Sequence, residues 1–382
     1  MAPSIRVAEP VLDGNECRYV MDCLESSWIS SRGKYIEQFE AKLAEFCGVP
    51  HAIATNNGTT ALHLALAAHN LGPEDEVIVP TLTYIASVNA IRYCGARPVF
   101  VDSTYPSLTM NVEQIEEKIT PRTRGIVAVS LYGQPVDYTP LIRLANKHGL
   151  FVVDDAAEAL GARYHEERVG SLGSCATFSF FGNKIITTGE GGMVVTRNRT
   201  LAERLRFLRG QAVSPHRSYW HTDVGFNYRM TNIAAAIGCA QMENIDTHLQ
   251  RRQDVACWYH QHLQSAGDLF DLPVPQTDTH HSYWMFTILL RQNLNISRDN
   301  VIQRLNQHGI ETRPIFYPVH WMPPYQDASG HFPVAEELAP NGISLPTHGR
   351  LREEQVKQVC DQLIEVVKSE LHEFAGPKRQ AA

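Results

Sequence analysis

Short apolar runs alternate with amphipathic segments over the first half of the chain. Seven strand candidates rich in Val, Ile and Phe lie at 52–55, 76–80, 97–102, 125–133, 151–156, 175–181 and 192–196. Segments with the apolar spacing of a helix separate most of these runs. Because strands that alternate with helices form parallel sheets covered on both faces, the pattern predicts an α/β fold with a mainly parallel seven-stranded sheet.

After Leu201 the pattern becomes mostly helical. The run from Thr231 to Gln264 is too long for one ordinary helix, so we expect a break near 244–247. The 382 residues are enough for two domains. We therefore predict a large domain at 1–245, a small α+β domain at 246–376 and a disordered tail at 377–382.

Composition and charge narrow the choice of partner and compartment. The chain is 43% hydrophobic, has a net charge of −7 and carries no basic block beyond 376–382, so nucleic acid is not an expected partner. The first residues lack the features of a signal peptide, and no apolar run is long enough to span a membrane. The eight cysteines form no CxxC pair, which indicates reduced thiols. We therefore expect a cytoplasmic protein without a membrane partner.

One lysine lies in a turn of small residues between two apolar runs. Lys184 precedes the glycine-rich stretch 187–192. A partly desolvated lysine has a lowered pKa, and its neutral amine forms Schiff bases with aldehydes. Upstream, an apolar strand ends at Asp154 and Asp155, and an acid there can hold the ring nitrogen of pyridoxal phosphate protonated. The combination indicates this cofactor, although Lys184 alone also fits a surface lysine beside a glycine-rich hairpin.

A polar turn connects the first predicted strand to a helix. Asn57, Gly58 and Thr59 stand at that turn, where backbone amides and the positive end of the helix favour an anion such as a phosphate. An ordinary capped helix start explains the same residues, and the turn matches neither a Walker A loop nor a Rossmann fingerprint. Tyr84 follows the strand at 76–80, so its ring can stack on a flat cofactor or belong to the core.

The remaining candidates lie at a strand end and in polar loops: Ser179, Asn227, Arg313, Tyr317 and His320. The first can bind a phosphate, and the second can meet a phosphate or a second subunit. The last three share a proline-rich segment that is not expected to be helical. Structural strand and loop roles are the alternatives for all of them. The histidines lack the spacing of a zinc site, so no metal is expected.

Taken together, these stretches resemble the DegT/DnrJ/EryC1/StrS family of nucleotide-sugar aminotransferases. The resemblance covers nearly the whole chain. Its most specific motifs are NNGTTALHLAL, PTLTYIASVNAI, LYGQPVD, VVDDAAEALGA, FSFFGNKIITTGEGGMVVT and GFNYRMTNIAAAIG. The resemblance implies the type I fold of pyridoxal-phosphate-dependent transferases, which is the fold of aspartate aminotransferase.

The resemblance also implies the roles of individual residues. Lys184 is similar to the family's lysine that binds the cofactor covalently and moves the proton, and Asp155 is similar to the acid at the ring nitrogen. Glu158 matches a position near the ring. The other implied cofactor contacts, around the phosphate and the ring, are Asn57, Gly58, Thr59, Ser179 and Tyr84.

The implied assembly is an obligate homodimer with shared active sites, because Asn227 matches a phosphate ligand donated by the neighbouring subunit. The implied reaction moves an amino group from glutamate, which leaves as 2-oxoglutarate, to C4 of a nucleotide-linked 4-keto-6-deoxy sugar for surface polysaccharides. GDP-4-keto-6-deoxymannose is the expected substrate, and dTDP- and UDP-linked keto sugars remain open. Specificity is expected from loops that supply the candidate substrate contacts Trp28, Ser30, Arg313, Tyr317 and His320.

Two other function classes agree less well with the sequence. Dehydratases with the same fold carry histidine in place of the lysine, so Lys184 argues against dehydration. A non-catalytic regulator that binds the cofactor would need a DNA-binding extension, and the sequence shows none.

Overall fold

The computed structural model describes residues 4–326 and 330–375, and the tail predicted at 377–382 lies outside them. In chain order the strands are β1 (His51–Thr55), β2 (Glu76–Pro80), β3 (Arg97–Val101), β4 (Thr123–Val129), β5 (Phe151–Asp155), β6 (Arg163–Tyr164), β7 (Glu167–Arg168), β8 (Cys175–Ser179), β9 (Gly192–Thr196), β10 (Phe270–Asp271), β11 (Thr279–His280), β12 (Phe286–Leu290), β13 (Arg313–Pro314) and β14 (Gly342–Leu345). The helices are α1 (Glu16–Glu25), α2 (Lys34–Cys47), α3 (Gly58–Ala68), α4 (Ile85–Tyr93), α5 (Ile115–Lys118), α6 (Tyr138–His148), α7 (Arg199–Arg209), α8 (Asn232–Glu243), α9 (Ile245–Leu263), α10 (Arg298–Gln307), α11 (Pro333–Leu338) and α12 (Glu353–Ala375).

A seven-stranded sheet of order β1-β9-β8-β5-β4-β2-β3 forms the centre of the molecule. Its strands pair in parallel from β3 to β8, and β9 runs antiparallel between β1 and β8. Every residue of β2 and β9 is buried. Because successive side chains of a strand point to opposite faces, this burial means that both faces of the sheet are covered. The α/β fold and the seven predicted strands are confirmed.

The carboxyl ends of the parallel strands bring distant residues to one edge. Tyr84 follows β2, Asp155 ends β5 and Ser179 ends β8. Asp155 pairs with Val129 of β4 on one side and with Thr177 of β8 on the other. Ligands of open α/β sheets bind at this edge, so the topology itself positions a site there.

A second sheet, which is antiparallel and has the order β10-β12-β14-β13, packs with α9, α10 and α12 around a separate hydrophobic core. The N-terminal segment joins this core, because Ile5 is buried in it and pairs with Ile310. Helix α8 ends at Glu243 and α9 begins at Ile245, which confirms the break expected near 244–247. The domain boundary between residues 245 and 246 stays a prediction.

One feature differs from the sequence-based expectation. A small sheet of β11, β6 and β7 is not predicted, because its two-residue strands are too short to show a periodic pattern. The segment directly before β12 carries Trp284 and Met285 to the cleft described below. None of the helices in the described part of the chain has both the length and the apolar character needed to cross a bilayer.

Candidate active site

A cleft of about 470 Å³ opens at the carboxyl edge of the large sheet. Its other side is formed by residues near β12, β13 and β14, so it lies where the two cores meet. Most of the predicted site residues line it: Lys184, Asp155, Glu158, Asn57, Gly58, Thr59, Tyr84, Ser179 and Arg313.

The amine of Lys184 enters this cleft from the turn that follows β8. The backbone amide of Lys184 donates a 2.9 Å hydrogen bond to the carbonyl of Phe181, which closes the turn. Its Nζ lies 3.7 Å from Oε1 of Glu158 and 3.8 Å from the ring centre of Trp284. Burial lowers the pKa of Lys184, and the charges of Glu158 and Asp155 oppose that shift. The turn thus presents a buried amine of the kind that reacts with aldehydes.

Asp155 is fixed at the end of β5 by two hydrogen bonds. Its Oδ2 accepts from the hydroxyl of Ser87 at 2.6 Å, and its Oδ1 accepts from the amide of Ala157 at 3.2 Å. Burial raises the pKa of Asp155, whereas both bonds and the charge of Lys184 lower it. A carboxylate held in this way can keep the ring nitrogen of pyridoxal phosphate protonated.

The neighbouring acid, Asp154, belongs to a different environment. Successive strand residues point to opposite faces, and Oδ1 of Asp154 accepts from the Ser130 hydroxyl at 3.3 Å, away from the residues that line the cleft. Burial raises the pKa of Asp154 to about 7. Of the two acids that end β5, only Asp155 faces the cleft.

Glu158 connects the lysine to the other wall of the cleft. Its Oε2 accepts a 2.8 Å hydrogen bond from the amide of Tyr132, and its Oε1 faces the Lys184 amine. Tyr132 has a φ of 55°, in the left-handed region that non-glycine residues rarely adopt. Burial raises the pKa of Glu158 to about 7, and the charge of Lys184 opposes the shift.

Aromatic rings form a continuous wall along the cleft, which we call the aromatic wall: Trp284, Tyr132, Phe316 and Tyr84. Tyr132 stacks on Trp284 with an interplanar angle of 9° and on Phe316 with one of 25°. The Phe316 amide donates to the Tyr132 hydroxyl at 2.8 Å. Tyr84 is 55% exposed, so its ring is free to meet a flat ligand. Sequence reasoning found only Tyr84, although Tyr132 lies within the motif LYGQPVD.

The start of α3 forms a cradle for an anion. Oδ1 of Asn57 caps the helix by accepting from the Thr60 amide at 2.9 Å. The preceding amides, of Gly58 and Thr59, are the first of the helix and have no intrahelical acceptor. A Cβ on Gly58 would lie 2.7 Å from Cβ of Ser179, so the helix can start this close to β8 only with glycine. This cradle fits the phosphate of pyridoxal phosphate.

Five predicted site residues do not line the cleft of the single chain: Asn227, Trp28, Ser30, Tyr317 and His320. The side chains of Asn227, Trp28 and Ser30 are exposed. His320 is buried, with Nδ1 at 2.6 Å from the Thr81 hydroxyl and Nε2 at 3.2 Å from Oε1 of Glu336. The roles assigned to these residues stay predictions.

A buried amine that shares a cleft with a carboxylate fixed at a strand end is what pyridoxal phosphate requires of a protein. Together with the sheet order, this arrangement defines the class: transferases that depend on pyridoxal phosphate and have the type I fold. The profile of the DegT/DnrJ/EryC1/StrS aminotransferase family matches residues 10–364. The chain belongs to this family and is a pyridoxal-phosphate-dependent aminotransferase, as the sequence predicted.

Individual relatives are similar over nearly their whole length. The chain is 52% identical over 366 residues to the GDP-perosamine synthase of Caulobacter vibrioides, which covers 96% of this chain and 99% of the relative. It is 49% identical to the GDP-perosamine synthase of Escherichia coli O157:H7, with 94% and 98% covered. The solved structure of a putative sugar aminotransferase from Streptococcus pneumoniae in its PLP form superposes with a TM-score of 0.90 at 27% identity, with 96% and 99% covered.

Proposed function

We propose that the chain transfers the amino group of glutamate to C4 of GDP-4-keto-6-deoxymannose, and so makes GDP-perosamine for a surface polysaccharide such as an O-antigen. The observation that carries amino transfer is the Lys184 amine, which lies 3.7 Å from Glu158 in a cleft that Asp155 also lines. The similarity to two GDP-perosamine synthases supports the choice of sugar and nucleotide.

Each of these residues of the cleft has its own role in the reaction. Pyridoxal phosphate, when bound, supplies the aldehyde that takes up the amino group and the ring that accepts electrons from the substrate carbon. Lys184 holds the cofactor and, once displaced, carries the proton to and from the substrate carbon. Asp155 keeps the ring nitrogen protonated. Glu158 lies beside the amine and stabilises its ammonium form after it takes up the proton.

The two ends of the cleft serve the phosphate and the substrate. The amides of Gly58 and Thr59, with Asn57 and Ser179, bind the phosphate, and the exposed Tyr84 ring covers the cofactor. Arg313 lines the opposite side of the cleft and is paired with Glu311 at 3.5 Å. Its guanidinium is suited to the carboxylate of glutamate or the diphosphate of the sugar nucleotide.

A homodimer would account for two of the five candidates that do not line the cleft. Asn227 and Trp28 are exposed on the single chain, which supports their donation to the cleft of a partner subunit. All eight cysteines are free thiols, which supports a cytoplasmic enzyme.

A panel of keto sugars tests the substrate. The purified protein receives pyridoxal phosphate, glutamate and one 4-keto-6-deoxy sugar at a time, linked to GDP, dTDP or UDP, and mass spectrometry identifies the aminated product. We expect amination of the GDP-linked sugar at a kcat/KM at least about tenfold above the others. A preference for a dTDP- or UDP-linked sugar would reject the substrate and leave amino transfer in place.

Mixing two variants tests the shared site. Lys184→Ala and Asn227→Ala chains are each unfolded and refolded together, and activity is compared with each variant refolded alone. If Asn227 acts in the partner's site, each mixed dimer regains one intact site, and the mixture recovers about a quarter of wild-type activity. If Asn227 acts in its own site, every site in the mixture keeps one lesion and no activity returns.

A further inference from the structure

The free amine of Lys184 rests between an indole ring and a carboxylate. Its Nζ lies 3.8 Å from the centre of the Trp284 ring and 3.7 Å from Oε1 of Glu158. At this distance an ammonium group is attracted to the face of an aromatic ring, most strongly to that of tryptophan. The attraction is larger when the pair is desolvated, and both side chains are largely buried.

Trp284 is held in this orientation from two sides. Its Nε1 donates a 2.8 Å hydrogen bond to the carbonyl of Asn183, which directly precedes the lysine. Its ring also stacks on Tyr132, whose backbone amide donates to Glu158. The indole and the carboxylate are therefore joined through Tyr132 into one rigid support for the amine of Lys184.

The charged groups around the amine do not act in one direction. Asp155 and Glu158 favour the ammonium form, whereas the guanidinium of Arg252, which donates to the Lys184 carbonyl at 3.5 Å, disfavours it. Burial brings the pKa of Glu158 to about 7, so its charge varies near neutral pH. The Tyr132 hydroxyl stays neutral, because burial raises its pKa. The attraction to Trp284 does not depend on any of these protonation states.

We propose that Trp284 is a positioning residue for Lys184, whose indole face holds the amine and stabilises its ammonium form whenever the lysine is not bonded to the cofactor. This role rests on the proposed amino transfer, in which Lys184 is displaced and returns in each reaction cycle. It deepens that function, because it places the proton carrier at a defined point while the substrate occupies the cofactor.

The test measures how readily Lys184 of the cofactor-free full-length protein reacts with acetic anhydride as a function of pH, with the site located by mass spectrometry. Trp284→Leu replaces the aromatic face with a smaller aliphatic side chain, and Trp284→Phe keeps a weaker aromatic face. We expect the pKa of Lys184 to fall by about one unit in Trp284→Leu, a tenfold larger neutral fraction at low pH, and by less in Trp284→Phe. Lys357, an exposed lysine in α12, serves as the internal reference in every sample.

The proposal is supported if the pKa of Lys184 decreases from wild type to Trp284→Phe and further to Trp284→Leu. A merely structural role of Trp284 would not follow the strength of the aromatic face. An unchanged or raised pKa in both variants overturns it. If circular dichroism shows that Trp284→Leu is unfolded, the test rests on Trp284→Phe alone. A lower pKa of Lys184 in that variant then supports the proposal, and an unchanged or raised pKa overturns it. Borohydride reduction of the wild-type protein with pyridoxal phosphate checks the underlying function separately, because failure to fix the cofactor on Lys184 rejects amino transfer and not merely Trp284.

Discussion

The hydroxyl of Ser87 donates a 2.6 Å hydrogen bond to Oδ2 of Asp155, and both groups are buried. Ser87 belongs to α4, so the acid is fixed by a helix as well as by its own strand. The bond favours the ionised carboxylate and opposes the rise in the pKa of Asp155 that burial causes. A serine of a neighbouring helix thus helps to set the charge at the end of β5.

Replacing this serine is expected to weaken the cofactor's hold. In Ser87→Ala the pKa of Asp155 rises, and the interaction with a protonated ring nitrogen loses strength. Since a hydrogen bond to a charged group contributes about 1.5–3 kcal/mol, we expect the dissociation constant of pyridoxal phosphate to rise at least about tenfold. Fluorescence titration of the cofactor-free protein measures it. The control is Thr83→Val, which removes only the 2.9 Å contact to the Ser87 hydroxyl. This variant is expected to bind pyridoxal phosphate more tightly than Ser87→Ala does.

Removal of the lysine separates binding from chemistry. In Lys184→Ala the phosphate cradle and Asp155 remain, so the cofactor still binds, but borohydride no longer fixes it to the protein. Because the proton carrier is gone, we expect product formation to fall by more than about 100-fold. Lys357→Ala, at an exposed lysine paired with Asp361, is the control. Appreciable turnover by Lys184→Ala would contradict the assignment.

A methyl group at the start of α3 is expected to disturb the phosphate cradle. The Cβ of Gly58→Ala would lie 2.7 Å from Cβ of Ser179, so the helix start must move away from β8. We expect weaker binding of pyridoxal phosphate by about tenfold or more, with little change in the sheet. Gly182→Ala is the matched control near the lysine, because its added Cβ meets nothing within 4 Å. Equal affinities of the two variants would show that the cradle tolerates the shift.

The buried Asp154 makes stability depend on pH. Its pKa is about 7 in the folded protein against an ordinary value of 3.8, so its contribution is complete below about pH 4 and is lost as the pH rises through 7. Relative to the cofactor-free wild type, Asp154→Asn is therefore expected to raise the stability toward urea at pH 8, compared with that at pH 5, by about 1–3 kcal/mol. Asp268→Asn, at an exposed acid, is expected to change nothing.

A buried guanidinium connects the lysine turn to the second sheet. Arg252 of α9 donates to the carbonyls of Trp284 and Thr347 at 2.9 and 2.8 Å, and to that of Lys184 at 3.5 Å. Arg252→Met leaves buried carbonyls without donors, so we expect the free energy of unfolding to fall by roughly 2–4 kcal/mol. Arg252→Lys keeps the charge but cannot reach all three carbonyls. Its free energy of unfolding is therefore expected to lie between those of the wild type and Arg252→Met. Urea denaturation of both variants decides, and an unchanged midpoint for Arg252→Met would contradict the role.

The residues found from sequence carry local signals. Three of these signals can each be recognised within a dozen positions: the strand that ends at Asp155, the polar turn at Asn57 and the lysine among small residues. The family motifs contain the same residues in the same order. Strand periodicity then predicts the sheet, whose parallel order brings the strand ends together.

The aromatic wall lacked such a signal. Trp284 and Phe316 are apolar residues in apolar segments, and only the folded chain brings them against Tyr132. The surroundings of His320 also lack a local signal, because the fold places it against Thr81, 239 positions away, and its role at the substrate stays a prediction. Contacts between residues so far apart in the sequence depend on how the two sheets pack, and no local sequence pattern predicts this packing.

Strand β5 ends in two acids with unrelated tasks, and its pairing with β4 and β8 decides which one meets the ligand. A slip by a single position along either neighbour would turn Asp154 toward the cofactor and bury Asp155 in its place. The loss or gain of one amino acid within this strand would therefore separate Asp155 from the hydrogen bonds that favour its charged form, while the composition of the cleft stayed almost the same. Alignment between strands is, at this point, as much a part of the chemistry as the side chains themselves.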